Sequence, residues 1–367
     1  MQLKANDVRL NWSGAVSLQI DDNGVQPWRI PHGIRGLFDP QLQLRAAMPA
    51  GVRLSFCSDT RTIEGQIEAT AENNQIDLYC NGDYIATQGL KNANQFQFRD
   101  LPAEQKLIEL WLPQKGTFQL RSIGLSDGAT IDRFDSDCPR WITYGSSITQ
   151  CAAAQSPSYT WPAIVARECA FNLTCLGFGG QCHLDPMLAR LVRDLPADFI
   201  SICCGINIYG AGSLGPRAFQ QAIIGTVLTI RERHPDIPLA LVSPICSPPR
   251  EETKNAVGFT LKTMREQVAE ATEILKSHND HNLFYFDGQT IFSADLVQYL
   301  PDELHPDAEG YKFLAQNFKM DTKCKKDKIL DTGGGILNAL QHFSNEPFIV
   351  INPVSYTHLT LPTILLV

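Results

Sequence analysis

The chain has no apolar run close to the roughly 20 residues that a membrane-spanning helix needs. Its first residues, Met1-Gln2-Leu3-Lys4-Ala5-Asn6-Asp7, lead into mixed polar sequence. They contain no apolar segment of the kind found in secretory signal peptides. These two absences argue against a membrane-spanning protein and predict a cytoplasmic location.

An excess of positive charge is also missing. The 367 residues include 31 Lys and Arg against 39 Asp and Glu, which gives a net charge of −8. A general nucleic-acid binder needs a basic surface, so nucleic acid is not an expected partner. The hydrophobic fraction of 44% and the charged fraction of 19% are those of an ordinary globular protein.

Paired Cys-x-x-Cys motifs are absent, although the chain has 11 cysteines. Several cysteines, among them Cys175, lie inside apolar runs, which favours buried free thiols over disulfides. A metal site built from Cys175, Cys182, His183 and Asp185 is the alternative, but their spacing is not that of a zinc site. We therefore expect neither a metal nor a cofactor.

Short segments of alternating apolar and polar residues, separated by Asn-Gly turns, characterise residues 1–130. Examples are 15–20, 52–56 and 76–80. Alternation with period two is typical of strands that have one buried face. We predict an all-β domain over 1–130, a sandwich of jelly-roll type.

Apolar strands alternate with amphipathic helices in the second part of the chain, residues 131–319. The predicted strands are 141–144, 173–178, 199–204, 239–242 and 283–286, and the predicted helices are 161–170, 186–194, 217–234, 259–277 and 308–319. This alternation is typical of a parallel sheet covered by helices on both faces. We predict an α/β, three-layer, flavodoxin-like domain, in which ligands bind beyond the carboxyl ends of the strands.

Four short segments follow these strands or precede the last helix. In Trp141-Ile142-Thr143-Tyr144-Gly145-Ser146-Ser147-Ile148-Thr149, a strand stops at a glycine and a serine turn follows, which can present a hydroxyl to a substrate. A serine needs a base, and Asp302-Glu303-Leu304-His305-Pro306 offers a histidine with a carboxylate three residues before it. Gly179-Gly180-Gln181 and Gly205-Ile206-Asn207 could each supply an N–H donor for an oxyanion.

Each of these residues also has a purely structural interpretation. Ser147 could cap a helix, His305 could be a surface histidine, Gly180 could be a turn glycine, and Asn207 could form an Asx-turn. Ser146 is the alternative nucleophile, although a capping or bracing role suits it better. The four segments occur together and at strand ends, which favours a functional role.

Taken together, the four segments resemble the blocks of the SGNH (GDSL-like) hydrolase family, which carry a serine, a glycine, an asparagine and an Asp-x-x-His. The resemblance covers residues ~138 to ~319, with the blocks in the family's order. It implies that Ser147 is the nucleophile, His305 the base and Asp302 its partner. The oxyanion donors would be the N–H groups of Ser147 and Gly180 and the side-chain amide of Asn207. The family usually has Asp where this chain has Ser146.

The resemblance implies a serine esterase that hydrolyses O-acyl esters. Because similar two-domain proteins include carbohydrate esterases, we expect an acetyl ester of a saccharide or another small-molecule acyl ester as the substrate. Alternatives are a thioesterase, a lipase-like acylhydrolase, an acetylhydrolase of the platelet-activating-factor type, and a catalytically silent carbohydrate-binding protein. No membrane partner is expected, and the sequence does not define the oligomeric state.

The sequence of residues 320–367 differs in character from that of the rest of the chain. A basic run is followed by Leu330-Asp331-Thr332-Gly333-Gly334-Gly335-Ile336, which resembles a fragment of a sugar-1-phosphate nucleotidyltransferase, and then by a stretch that resembles a translated sequencing adapter. We predict a chimeric tail without function; a natural C-terminal extension is the alternative.

Overall fold

The alternating segments of the N-terminal part form twelve strands in the computed structural model, which describes residues 1–324 except Ala69 and Ala71. In chain order they are β1 (Gln2–Lys4), β2 (Asn11–Ser13), β3 (Ser17–Asp21), β4 (Gly24–Trp28), β5 (Arg53–Ser58), β6 (Ile63–Ile67), β7 (Gln75–Cys80), β8 (Asp83–Gly89), β9 (Gln95–Phe98), β10 (Lys106–Trp111), β11 (Leu120–Leu125) and β12 (Ile131–Arg133). The predictions made for residues 325–367 lie outside the described residues.

These strands build two antiparallel sheets. One has the order β3-β4-β11-β6-β9, with β1 beside β11, and the other has the order β12-β5-β10-β7-β8, with β2 beside β5. Side chains alternate as expected: in β6, Ile63 and Ile67 are buried whereas Glu64 and Gln66 are exposed. Apolar residues of both sheets share one core. The predicted β-sandwich is confirmed, and its jelly-roll topology stays a prediction.

A short helix, α1 (Pro40–Ala46), interrupts the N-terminal strands and was not predicted. Its seven residues are too few to show a clear helical period in the sequence. It begins at Pro40 because Asp39 accepts hydrogen bonds from the N–H groups of Gln41 and Leu42, a capping arrangement. A 3₁₀ helix, His32–Leu37, precedes it.

A five-stranded parallel sheet forms the second part of the chain. Its strands are β13 (Arg140–Gly145), β14 (Asn172–Gly177), β15 (Phe199–Cys203), β16 (Leu239–Val242) and β17 (Leu283–Phe286). They lie in the order β14-β13-β15-β16-β17, and every neighbouring pair is parallel. This is the flavodoxin-like order, in which the chain changes direction beside β13. The predicted α/β fold is confirmed.

Helices flank this sheet. They are α2 (Ser147–Gln150), α3 (Trp161–Glu168), α4 (Pro186–Asp194), α5 (Ile206–Ala211), α6 (Pro216–Arg231), α7 (Leu261–Ser277), α8 (Gly288–Ile291) and α9 (Ala308–Cys324), with 3₁₀ helices at Pro157–Tyr159, Pro248–Arg250 and Ala294–Tyr299. The helix α9 continues beyond the predicted end at residue 319 because no glycine or proline interrupts the sequence there. None of the helices in the described part of the chain combines the length and apolar character that crossing a bilayer requires.

The short helix α1 packs against the α/β part of the chain. Its buried residues Leu42 and Ala46 belong to the same apolar cluster as Phe178 and Leu184, which follow β14. Residues Met1–Phe318 form one compact unit. The N-terminal part thus contributes a helix to the edge of the parallel sheet at which ligands of such folds bind.

Candidate active site

The four predicted segments meet at the carboxyl end of the parallel sheet. Ser147 follows β13, Gly180 lies in the loop after β14, and Asn207 follows β15. His305 lies in the loop that leads into α9. The first three residues therefore flank the point at which the strand order reverses, where open α/β sheets bind their ligands.

The serine turn lifts Ser147 out of the sheet. Ser146 caps α2, since its Oγ accepts a hydrogen bond from the N–H group of Ile148 at 3.2 Å, and it is almost completely buried. Gly145 is needed because a Cβ atom there would lie 2.1 Å from Oγ1 of Thr149. The capping role that was an alternative for Ser147 thus belongs to Ser146, and the Ser147 hydroxyl is free to face the cleft.

A hydrogen-bonded chain connects the serine, the histidine and the aspartate. Oγ of Ser147 lies 2.8 Å from Nε2 of His305, and Nδ1 of His305 lies 2.6 Å from Oδ2 of Asp302. A carboxylate at Nδ1 favours the tautomer in which Nδ1 carries the proton and Nε2 accepts from the serine hydroxyl. The arrangement can therefore withdraw a proton from Ser147.

Asp302 is held as a carboxylate. Partial burial raises its pKa, but the hydrogen bonds from the side chain and main chain of His305, together with the N–H group of Leu304, outweigh burial and lower the pKa to about 2. The other carboxylate oxygen, Oδ1, accepts the main-chain N–H groups of His305 at 2.7 Å and of Leu304 at 3.1 Å. Asp302 is thus ionised throughout the range in which a histidine works as a base.

Three hydrogen-bond donors belong to residues that line the same cleft as the serine hydroxyl. In the described part of the chain, the main-chain N–H groups of Ser147 and Gly180 have no hydrogen-bond partner. Oδ1 of Asn207 accepts the N–H group of Cys182 at 2.9 Å, which leaves the amide NH₂ group to the cleft. Asn207 lies in the first turn of α5 and not in a loop. These donors suit the charge of a tetrahedral intermediate.

Two side chains that brace the loop after β14 were not assigned from the sequence. Gln150 is buried, and its Oε1 accepts the N–H group of Gly179 at 2.8 Å. His183, whose role the sequence left open, lies with Nε2 3.0 Å from the main-chain oxygen of Gly180 and Nδ1 2.8 Å from Oγ of Ser213. Both interactions fix the main chain that carries the Gly180 donor.

A cleft of about 580 Å³ contains the candidate residues, a volume that suits a small-molecule ligand. Ser147, Gly180, Asn207 and His305 line it. Further lining residues are Arg45, Gln150, Tyr209, Arg250 and Leu304. Trp161 is buried in the core against other aromatic rings and does not line the cleft. Arg45, on the unpredicted helix α1, had no recognisable signal in the sequence.

The cysteines near the site have side chains that are buried in the core. Cys175 and Cys182 are buried, and burial raises the pKa of both thiols. Across the described residues no disulfide is present, and no group of three or more His, Cys, Asp or Glu side chains could hold a metal ion.

This fold with this site is that of an esterase or acyl-transferring enzyme. The model of the GDSL-like lipase/acylhydrolase family matches residues 140–322, and the model of the SsfX3 N-terminal domain matches residues 10–121. The chain belongs to the GDSL-like lipase/acylhydrolase family. A comparison with curated proteins gave no match.

Solved structures of similar proteins cover both parts of the chain. The salicylyl-acyltransferase SsfX3 from a tetracycline biosynthetic pathway is 34% identical, with a TM-score of 0.84 over 90% of this chain and 98% of the other. A putative GDSL-like lipase from Bacteroides ovatus is 21% identical, with a TM-score of 0.73 over 90% and 98%. A family two carbohydrate esterase from Cellvibrio japonicus is 13% identical, with a TM-score of 0.62 over 89% and 98%. The last two show a shared fold.

Proposed function

We propose that the protein is a serine esterase that hydrolyses O-acyl esters through an acyl-enzyme on Ser147. The observation that carries the proposal is the hydrogen-bonded chain Ser147–His305–Asp302, with separations of 2.8 and 2.6 Å, in a cleft that also holds unpaired N–H donors. Each of these residues and donor groups has a role in acyl transfer.

In the first half-reaction Oγ of Ser147 attacks the ester carbonyl carbon while Nε2 of His305 takes the hydroxyl proton. The negative charge of the tetrahedral intermediate is stabilised by the N–H groups of Ser147 and Gly180 and by the amide of Asn207. Asp302 stabilises the imidazolium that has formed. When the intermediate collapses, the C–O bond to the alcohol breaks, and His305 gives its proton to the leaving oxygen.

In the second half-reaction water takes the place of the alcohol. His305 removes a proton from the water as its oxygen attacks the acyl carbon, and the bond to Oγ of Ser147 then breaks. Ser147 recovers its proton from His305, and the carboxylic acid leaves. For the substrate we propose an acetyl ester of a saccharide, since carbohydrate esterases are among the proteins that share the two-part architecture.

Acyl transfer to an alcohol is the second candidate function. It is favoured by the similarity to a salicylyl-acyltransferase, which at 34% identity extends over 98% of that chain. Both candidates use the same acyl-enzyme. They differ only in whether water or a second alcohol attacks it, which depends on what the cleft admits.

Acylation of Ser147 tests the proposal directly. We expect rapid mixing with p-nitrophenyl acetate, followed by an acid quench and peptide mass spectrometry, to find an acetyl group on the peptide that contains Ser147, located by fragmentation. An acetyl group on Ser146 alone, or turnover without any covalent adduct under burst conditions, would contradict the assignment. An adduct that is stable in water but discharged by an added alcohol identifies a transferase, whereas release of free acetate identifies a hydrolase.

The oxyanion donor on α5 gives a second prediction. We expect Asn207→Ala to lower kcat roughly 10²- to 10³-fold with a small change in KM, because the amide donates only to charge that develops after attack. The matched variant is Asn207→Asp, which keeps an oxygen for the N–H group of Cys182 but replaces the donor by a charged acceptor. It should lose at least as much activity. Full activity in Asn207→Asp would show that residue 207 only braces the loop.

A further inference from the structure

Two arginines line the cleft beside the proposed nucleophile. Arg45 lies on α1 of the N-terminal part, and Arg250 lies in the 3₁₀ helix Pro248–Arg250 after β16. Neither forms an ion pair with any carboxylate in the described part of the chain. Several other arginines of the described residues also lack an ion pair, so it is the position of these two beside the proposed nucleophile that calls for an explanation.

Arg45 is fixed to the loop that holds the Gly180 donor. Its Nε donates to the main-chain oxygen of Gly179 at 3.2 Å, and its own main-chain oxygen accepts from the buried guanidinium of Arg29. Because Nε is used, the terminal nitrogens of Arg45 keep their N–H donors for a ligand. They are available to a substrate that occupies the cleft.

Arg250 is fixed to the loop that holds the histidine. One terminal nitrogen donates to Oγ of Ser247 at 2.8 Å and to the main-chain oxygen of Glu303 at 3.2 Å, two residues before His305. Its partners among the described residues are neutral oxygens, so its charge is not compensated within this part of the chain. One arginine is thus attached to the loop that holds the Gly180 donor, and the other to the loop that holds His305.

Among the described residues, no acidic side chain lines the cleft. Of the carboxylates next to lining residues in sequence, Asp302 is engaged with His305 and Glu251 with Arg265, whereas Glu303 is exposed and does not line the cleft. The protein as a whole carries a net charge of −8, so this local excess of positive charge is opposite to the average surface. Such a concentration of unpaired guanidinium groups attracts and orients an anion, since arginine binds carboxylate and phosphate in a planar fork.

We propose that Arg45 and Arg250 form a binding site for an anionic group, a carboxylate or a phosphate, that the ester substrate carries next to its scissile bond. This proposal rests on the acyl-transfer function of the same cleft and narrows its substrate class to charged esters. It also gives the N-terminal part a share in substrate selection, through α1.

Matched pairs of esters in the full-length protein test the proposal. The first pair is para-acetoxybenzoate and para-acetoxybenzamide, which differ in the charge of the alcohol part. The second pair is mono-p-nitrophenyl glutarate and p-nitrophenyl valerate, which differ in the charge of the acyl part. We expect kcat/KM to favour the anionic member of one pair roughly 10- to 100-fold, and Arg45→Gln and Arg250→Gln to reduce that preference by a similar factor. Added salt should weaken it as well.

The variants Arg250→Lys and Arg99→Gln are the controls. Lysine keeps the charge and should restore part of the preference, while Arg99 is an exposed arginine outside the cleft, and its variant should keep the wild-type preference. Equal rates on both members of both pairs, or a preference that survives in both glutamine variants, would overturn the proposal. If no ester is turned over, calorimetric binding of para-hydroxybenzoate against para-hydroxybenzamide decides: weaker binding of the anion in the glutamine variants supports the site, and equal binding of the two compounds by the wild-type protein overturns it.

Discussion

Replacing Ser147 by alanine is expected to lower kcat for p-nitrophenyl acetate roughly 10⁵- to 10⁶-fold, the loss typical of a missing serine nucleophile. The hydroxyl lies 2.8 Å from Nε2 of His305, so the variant removes the attacking atom and leaves the base without its partner. The substitution deletes one half-buried oxygen and leaves the cap on α2 in place. Stability should therefore change little, which a thermal unfolding curve checks beside the kinetic assay.

The neighbouring serine supplies the matched control. Ser146→Ala removes an oxygen that accepts the N–H group of Ile148, so it should cost about 1 kcal/mol of stability as a lost helix cap. Its side chain is buried and is not part of the cleft lining, so most of the activity should remain. If the two variants exchanged these effects, Ser146 would be the nucleophile and the assignment of Ser147 would be wrong.

The pattern of apolar residues made the fold predictable. Each strand of the parallel sheet is a short apolar run that ends at a turn, and the predicted and observed bounds of β16 and β17 are the same. The serine, glycine and asparagine segments could be placed because residues after parallel strands must meet at one edge. The order of strands and motifs along the chain is therefore sufficient to predict that Ser147, Gly180 and Asn207 lie close together.

Side chains that reach the site from distant parts of the chain left no such signal. Arg45 and Gln150 contact the loop at Gly179 from positions 134 and 29 residues away in sequence, and neither belongs to a periodic pattern or a motif. The helix α1 is seven residues long, so its apolar face consists of little more than Leu42 and Ala46. Tertiary packing, and not local propensity, determines where Arg45 lies.

Arg29 is the strongest link between the N-terminal part and the candidate site. Its side chain is completely buried and donates to the main-chain oxygens of Met48, Arg45, Cys175 and Gly177. Its guanidinium carbon lies 4.8 Å from the centre of the Phe178 ring. Burial lowers its pKa to about 10, which still leaves it charged at neutral pH. The Arg29 guanidinium therefore donates hydrogen bonds to carbonyl groups of both the N-terminal part and the α/β part of the chain.

We expect Arg29→Met to destabilise the protein by about 4 kcal/mol or more, among the largest effects of a single substitution. Methionine fills much of the volume but donates no hydrogen bond, so four main-chain oxygens lose a hydrogen bond, and within the described residues only that of Arg45 keeps another, from the N–H group of Met48. Each buried group left unmet costs about 1–3 kcal/mol. Urea unfolding followed by circular dichroism measures the change. Arg29→Lys should lose less, because an ammonium group has three donors and keeps the charge.

The exposed Arg99 again provides the control, since Arg99→Met should change stability by no more than about 0.5 kcal/mol. A buried charge can also destabilise the native state while it holds other groups in position. In that case, replacing the charge by an apolar residue stabilises the fold. One experiment distinguishes these two cases. If Arg29→Met unfolds at higher urea than the wild type but loses esterase activity, Arg29 serves to hold Gly177 and Arg45 in position at the expense of stability. If stability and activity fall together, as we expect, the same hydrogen bonds that join the two parts of the chain also shape the loop that carries the Gly180 donor.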